Sequence, residues 1–185
     1  MQKIFEESVS VKQAALKANV DEIAKAVDII VQSLSAQGKI LIFGNGGSAA
    51  DSQHFAAEFI GRFKKERRAL AAIALTTDSS ILTCLSNDYS FDTIFSRQIE
   101  GLGRKGDVAF GLSTSGNSKN VILAIQKAKE LGLKTIVLSG CGGGQLKDKA
   151  DVNIVVPSTS TARIQESHMC IYHAICELVE NQFSH

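Results

Sequence analysis

The feature that most constrains this chain is an alternation of short, continuous apolar runs with helix-length stretches. Lys39–Phe43 (Lys-Ile-Leu-Ile-Phe) is apolar at every position after the first, the pattern of a strand buried on both faces. Ala71–Leu75, Val108–Leu112, Thr135–Leu138 and Val152–Val156 repeat the signal, and between them Ala49–Arg62, Phe91–Leu102 and Lys119–Leu131 have helix length. Alternating strands and helices predict an α/β fold in three layers, a five-stranded parallel sheet flanked by helices. In such a sheet, right-handed crossovers bring the loops after the strands to one edge, where ligands bind.

Ahead of the first strand, apolar residues recur at helical spacing: Ile4, Val9, Val11 and Ala14, then Ile23, Ala26, Val27, Ile30, Val31 and Leu34. This predicts two N-terminal helices, or one broken near Asn19, ending at Gly38. Pro157 and the hydroxyls of Ser158–Thr161 precede a last helix over about 162–181, and they are placed to supply its N-cap. No linker, repeat or low-complexity segment interrupts the pattern. The expectation is a single domain over residues 1–185, with N-terminal helices over about 1–37 and an α/β core over about 38–185.

Charge and composition narrow the function classes. Twenty Lys and Arg against nineteen Asp and Glu leave a net charge of +1, without the basic excess that binding to nucleic acid phosphates requires. No apolar run approaches the ~18 residues of a membrane span. The longest is Ala69–Leu75, and the start, Met-Gln-Lys-Ile-Phe-Glu-Glu-Ser, lacks the basic and apolar regions of a secretory signal. The four cysteines (Cys84, Cys141, Cys170, Cys176) contain no Cys-x-x-Cys pair and are too sparse for a disulfide scaffold. A cytoplasmic protein with neither nucleic acid nor membrane as partner is expected.

Two loops stand out. Gly44-Asn45-Gly46-Gly47-Ser48 follows the first strand and enters a helix, and Ser113-Thr114-Ser115-Gly116-Asn117-Ser118 does the same after the Val108 strand. Glycines let the backbone approach a ligand, while hydroxyls and free amides at a helix start bind an anion without Lys or Arg. Tight βα turns also contain Gly and Ser for purely conformational reasons, but two such loops at one edge favour a phosphorylated ligand. Neither holds the Gly-Lys-Ser/Thr of a P-loop. Gly44-x-Gly46-x-x-Ala49 formally matches a dinucleotide fingerprint, yet the acidic residue expected ~20 positions on has no clear counterpart, since Glu58 lies within the helix pattern and Asp78 comes late. Gly140-Cys141-Gly142-Gly143-Gly144 is a further glycine-rich turn at the same edge, with no role legible in sequence.

His54 and Glu58, four residues apart in a helix, share one face, where they can hold a divalent cation or simply pair on the surface. His168 and His173 lie in the last helix near Gln165 and Glu166. Gln165 and His173 would stand roughly 12 Å apart along a straight helix, too far for both to reach one ion easily. For both to contribute, the helix must begin irregularly near Gln165, or two subunits must supply the residues.

These motifs together, with His54-Phe55-Ala56-Ala57-Glu58, Asn87-Asp88 and Ala162-Arg163-Ile164-Gln165-Glu166, resemble the phosphoheptose isomerase family in order and over essentially the whole chain. The resemblance implies the sugar isomerase (SIS) fold and conversion of sedoheptulose 7-phosphate to D-glycero-D-manno-heptose 7-phosphate, the first step toward the activated heptoses of bacterial lipopolysaccharide and other surface polysaccharides. It also implies one zinc ion per subunit and a homotetramer with active sites at subunit interfaces. Carried over by motif, the metal ligands would be His54, Glu58, Gln165 and His173. Substrate contacts would come from Asn45, Gly46, Gly47, Glu58, Asn87, Asp88, Ser113, Thr114, Ser115, Ser118 and Gln165.

The chemistry is consistent with that assignment. Exchanging a ketose for an aldose moves a proton between neighbouring carbons through a cis-enediol, a task suited to a carboxylate and an imidazole. Glu58 is expected as the base and His173 as its complementary acid/base, with the ligand and base roles of Glu58 in competition. The alternative is a protein-binding regulator of replication initiation on the same fold. That group lacks the acidic residue and the late histidine that are present here as Glu58 and His173.

Overall fold

In the computed structural model, which describes residues 1–184, the apolar runs form one sheet. β1 (Ile40–Gly44), β2 (Ala72–Ala74), β3 (Val108–Ser113), β4 (Lys134–Ser139) and β5 (Val152–Val155) are all parallel, in the order β2-β1-β3-β4-β5. The helices are α1 (Gln2–Ser35), α2 (Gly47–Ile60), α3 (Ser79–Asp88), α4 (Ile94–Leu102), α5 (Lys119–Glu130) and α6 (Thr161–Phe183). Every residue of β1 and β3 is buried, because successive side chains enter different cores. Ile40 and Ile42 pack with Ile30, Phe55 and Tyr172 of α1, α2 and α6, whereas Leu41 and Phe43 pack with Phe95, Ile99 and Ile125 of α4 and α5. Burying each such side chain contributes about 1.5–3 kcal/mol, which is why the strands read as unbroken apolar runs.

The strand order places the site. From β1 the chain steps outward to β2 and then returns past β1 to β3, so the carboxyl ends of β1 and β3 are neighbours from which the chain leaves in opposite senses. Such a switch point opens a crevice. The Gly44–Ser48 and Ser113–Ser118 loops leave these two ends.

The N-terminal helix is one element with a break at Asn19 (φ −131°, ψ 16°). The break docks on edge strand β5: Asn19 Nδ2 donates to Val155 O (3.0 Å) and Val155 N–H donates to Asn19 Oδ1 (3.1 Å). The left-handed residue that closes α1 is Gln37 (φ 63°) rather than Gly38, whose N–H bonds back to Ser33 O (2.8 Å). Ser160 holds the N-cap position of α6, but its side chain makes no capping bond. Helix α3 was not anticipated. Asp78 caps it by accepting the Ile81 N–H (2.9 Å). Along α1, Ile4, Phe5, Val9, Leu16 and Val20 stay exposed. No helix among the described residues is long and apolar enough to cross a membrane.

Candidate active site

The site begins where β1 ends. Gly46 turns the chain (φ 57°), and α2 starts at Gly47, which packs closely against the Gln165 amide. Two turns along, His54 Nε2 lies 3.0 Å from Glu58 Oε1, the pairing that the four-residue spacing predicts. Helix α6 brings His173 to the same place, its ring centroid 5.0 Å from that of His54. Ligand atoms of His54, Glu58 and His173 all lie within 4.8 Å of one another. The His173 Nε2 is buried and has no hydrogen-bond partner, an arrangement that a bound cation would satisfy. Burial, followed by the neighbouring His54, lowers the pKa of His173 and favours the neutral imidazole that ligates metals.

A second layer fixes the orientation of these groups. Tyr172 OH lies 3.1 Å from His54 Nδ1, so the other ring nitrogen of His54 is turned toward Glu58. The buried Asp51 carboxylate lies 3.5 Å from the same hydroxyl and accepts a hydrogen bond from Gln165 Nε2 (3.0 Å). Burial raises the Asp51 pKa against the opposing pull of these two hydrogen bonds. Phe63 packs its ring 5.4 Å from His173. The loop carrying Phe63 is held because Glu180 accepts the N–H groups of Phe63, Lys64 and Lys65 and pairs with the buried Arg67.

Asp51, Tyr172 and Glu180 escaped the sequence reading. The first two were in principle accessible: Asp51 falls three residues before His54 on the same helical face, and Tyr172 adjoins His173. For Glu180 the sequence carries no signal, since its partners are more than a hundred residues away.

Gln165 lies in the regular part of α6, which starts at Thr161 without distortion, so an irregular helix start does not bring it to His173. Its amide nitrogen is engaged by Asp51, yet Gln165 and His173 both line one cavity of about 530 Å³ between α1 and α6, with Lys12 and Glu166.

The other predicted contacts fall into two groups. Asn45 and Asn120 exchange reciprocal amide hydrogen bonds of 2.8 and 2.9 Å, joining the glycine loop to the start of α5. Beside them Ser113 Oγ donates to Ser118 Oγ (3.0 Å), and Ser115 Oγ accepts the Asn117 N–H (3.1 Å). Thr114 lies in the same turn. Ser118 occupies the N-cap of α5 without a side-chain cap, which leaves the first amides of that helix available to an anion. Lys119 is turned away to Asp92 (2.8 Å). Asn87 and Asp88 lie at the exposed C-terminal end of α3, bonded to each other (2.8 Å) and hydrogen-bonded to none of the residues above.

Comparison with known proteins identifies the family. The SIS domain family model matches residues 4–140, and phosphoheptose isomerase from Aquifex aeolicus is 54% identical over 97% of this chain and 94% of its own. The chain belongs to the phosphoheptose isomerase family of SIS-domain proteins. Two solved phosphoheptose isomerases superpose on it. GmhA from Neisseria gonorrhoeae has a TM-score of 0.91 and 48% identity, and the enzyme from Francisella tularensis has a TM-score of 0.94 and 37% identity. Each alignment covers 97% of this chain and 96% of the relative. The five-stranded parallel sheet flanked by helices is therefore the SIS fold of these isomerases.

Proposed function

We propose that this protein interconverts sedoheptulose 7-phosphate and D-glycero-D-manno-heptose 7-phosphate through a cis-enediol, supplying heptose for bacterial surface polysaccharide. The observation that carries the reading is the convergence of Glu58 with two imidazoles, beside an anion-ready loop, in a member of the phosphoheptose isomerase family. Ser113, Thr114, Ser115, Ser118 and the first amides of α5 hold the phosphate. Asn45, Gly46, Gly47, Asn87, Asp88 and Gln165 hold sugar oxygens. Glu58 removes a proton from C1 of the open-chain ketose while His173 delivers one to O2, giving the enediol. Glu58 then returns its proton to C2 as His173 recovers one from O1, leaving the aldose.

The donors of His54, Glu58 and His173 suit zinc, the unpartnered His173 Nε2 supports that fit, and the Gln165 amide oxygen is the proposed fourth ligand. A bound zinc supplies polarisation and orientation of the sugar oxygens. A carboxylate engaged with a cation is a weaker base, and an imidazole that holds a cation through one nitrogen has only the other for proton transfer, so Glu58 and His173 are each divided between two roles. The reading extends to the whole chain as one SIS domain and to a homotetramer with interfacial sites, which the exposed apolar side chains of α1 support. It places the protein in the cytoplasm, which its four free thiols support.

Proton NMR of the protein with sedoheptulose 7-phosphate in heavy water, with added zinc and after chelation, tests substrate, reaction and metal together. The aldose should appear with deuterium next to the carbonyl, and chelation should slow it. No conversion by a zinc-loaded tetramer would transfer the reading to the protein-binding regulator.

A further inference from the structure

We infer that the glycine-rich turn after β4 is the mould that holds the phosphate loop in its binding shape, with Gly144 and Asn117 as positioning residues. The inference rests on the assignment of Ser113–Ser118 to the phosphate group. Four consecutive residues of the turn, Cys141 (φ 51°), Gly142 (72°), Gly143 (94°) and Gly144 (52°), lie in the left-handed region. Glycine takes such angles at little cost where its surroundings demand them, whereas Cys141 is held there against its preference.

The demand comes from the serine loop. A Cβ on Gly116 would lie 2.2 Å from Gly143 O, and one on Gly144 would lie 2.6 Å from Ser115 O and 2.8 Å from Asn117 Oδ1. Glycine on both sides lets the two backbones touch. Hydrogen bonds then lock them: Leu146 N–H donates to Gly116 O (3.1 Å), and Gln145 N–H donates to Asn117 Oδ1 (3.0 Å). Asn117 passes the constraint on, because its Nδ2 and N–H bond to Ser115 O and Oγ, both at 3.1 Å.

The far side of the turn is tied to the other half of the site. Cys141 N–H donates to Ser158 O (3.0 Å), and Gly140 packs so closely on Ile164 that a Cβ there would lie 2.4 Å from Ile164 Cδ1. Ile164 directly precedes Gln165. The turn therefore links the phosphate cradle to the start of α6, and it sets the position of one relative to the other. A cradle held in advance binds its anion without an ordering penalty, so the turn acts on substrate affinity.

The test compares steady-state kinetics, inhibition by inorganic phosphate and thermal unfolding for Gly144→Ala, Gly142→Ala, Asn117→Ala and Ser115→Ala. Gly142→Ala places a side chain at positive φ in the same turn, at a milder ψ (10° against −143° at Gly144), and its Cβ would meet nothing within 4 Å. The deciding variant is therefore the strain-free Asn117→Ala. Asn117→Ala removes the acceptor for Gln145 with no backbone strain. Gly144→Ala and Asn117→Ala should each raise KM and the phosphate inhibition constant ~10-fold while kcat stays within ~3-fold, the signature of lost uniform binding. Gly142→Ala should leave KM unchanged. Equal rises for Gly144→Ala and Gly142→Ala, or no rise for Asn117→Ala, would mean backbone strain alone and overturn the proposal. If Gly144→Ala does not fold, Asn117→Ala decides by the same criterion. Should Ser115→Ala also leave KM and phosphate inhibition unchanged, the phosphate assignment itself fails. A rise for Ser115→Ala alone refutes the mould and spares the assignment.

Discussion

Glu58, His54 and His173 converge on one point, and at this scale the roles separate by substitution. Glu58→Gln and His173→Gln preserve size and should each lower turnover by ~100-fold or more, the usual weight of a general acid or base. Circular dichroism and gel filtration should stay unchanged; loss of either would make these residues structural. His54→Ala should lower bound zinc by elemental analysis, and an unchanged metal content would remove His54 from the ligand set. His168 behaves differently. It is fully buried with Nε2 on Ser139 O (3.1 Å), and burial lowers its pKa from 6.5 to about 4. The unfolded chain therefore binds that proton first, so stability is unaffected above pH 6.5 and is lost as pH falls from 6.5 toward 4. The full loss is on the order of 3 kcal/mol. Urea unfolding between pH 4 and 7 should show this slope, and His168→Asn should flatten it.

Among the elements, α1 depends on one side chain to meet the sheet. Asn19 breaks the helix and supplies both a donor and an acceptor to Val155 of β5. Asn19→Ala leaves those backbone groups unpaired and should cost about 2 kcal/mol in urea unfolding. Faster hydrogen exchange at Val155 would accompany it, and an unaltered midpoint would show that water replaces the amide. The break itself was legible because Asn is a poor helix former between two periodic segments. Helix α3 was not, since its apolar positions Ile81, Leu82 and Leu85 form only a short pattern and none of its residues is buried. β2 is shorter than the apolar run Ala71–Leu75 and lies at the sheet edge, with Ile73 exposed.

For the whole molecule, the proposed tetramer would bury the exposed apolar side chains of α1. Leu16 and Phe5 are 60% and 69% exposed in one chain, so Leu16→Glu or Phe5→Glu should reduce the assembled mass in sedimentation and lower activity if sites are shared between subunits. An unchanged mass would place the interface elsewhere. The parallel sheet, its flanking helices and the two polar loops at its edge could be read from the chain, because strand burial and helix periodicity are local patterns of apolar spacing. So could the pairing of His54 with Glu58, four residues apart on one helix. What brought His173 to that pair, seated Asp51 under Gln165, and pressed the glycine turn against the serine loop was decided by packing between segments far apart in the chain. Sequence spacing reports which residues share a face, whereas only tertiary packing determines which faces meet.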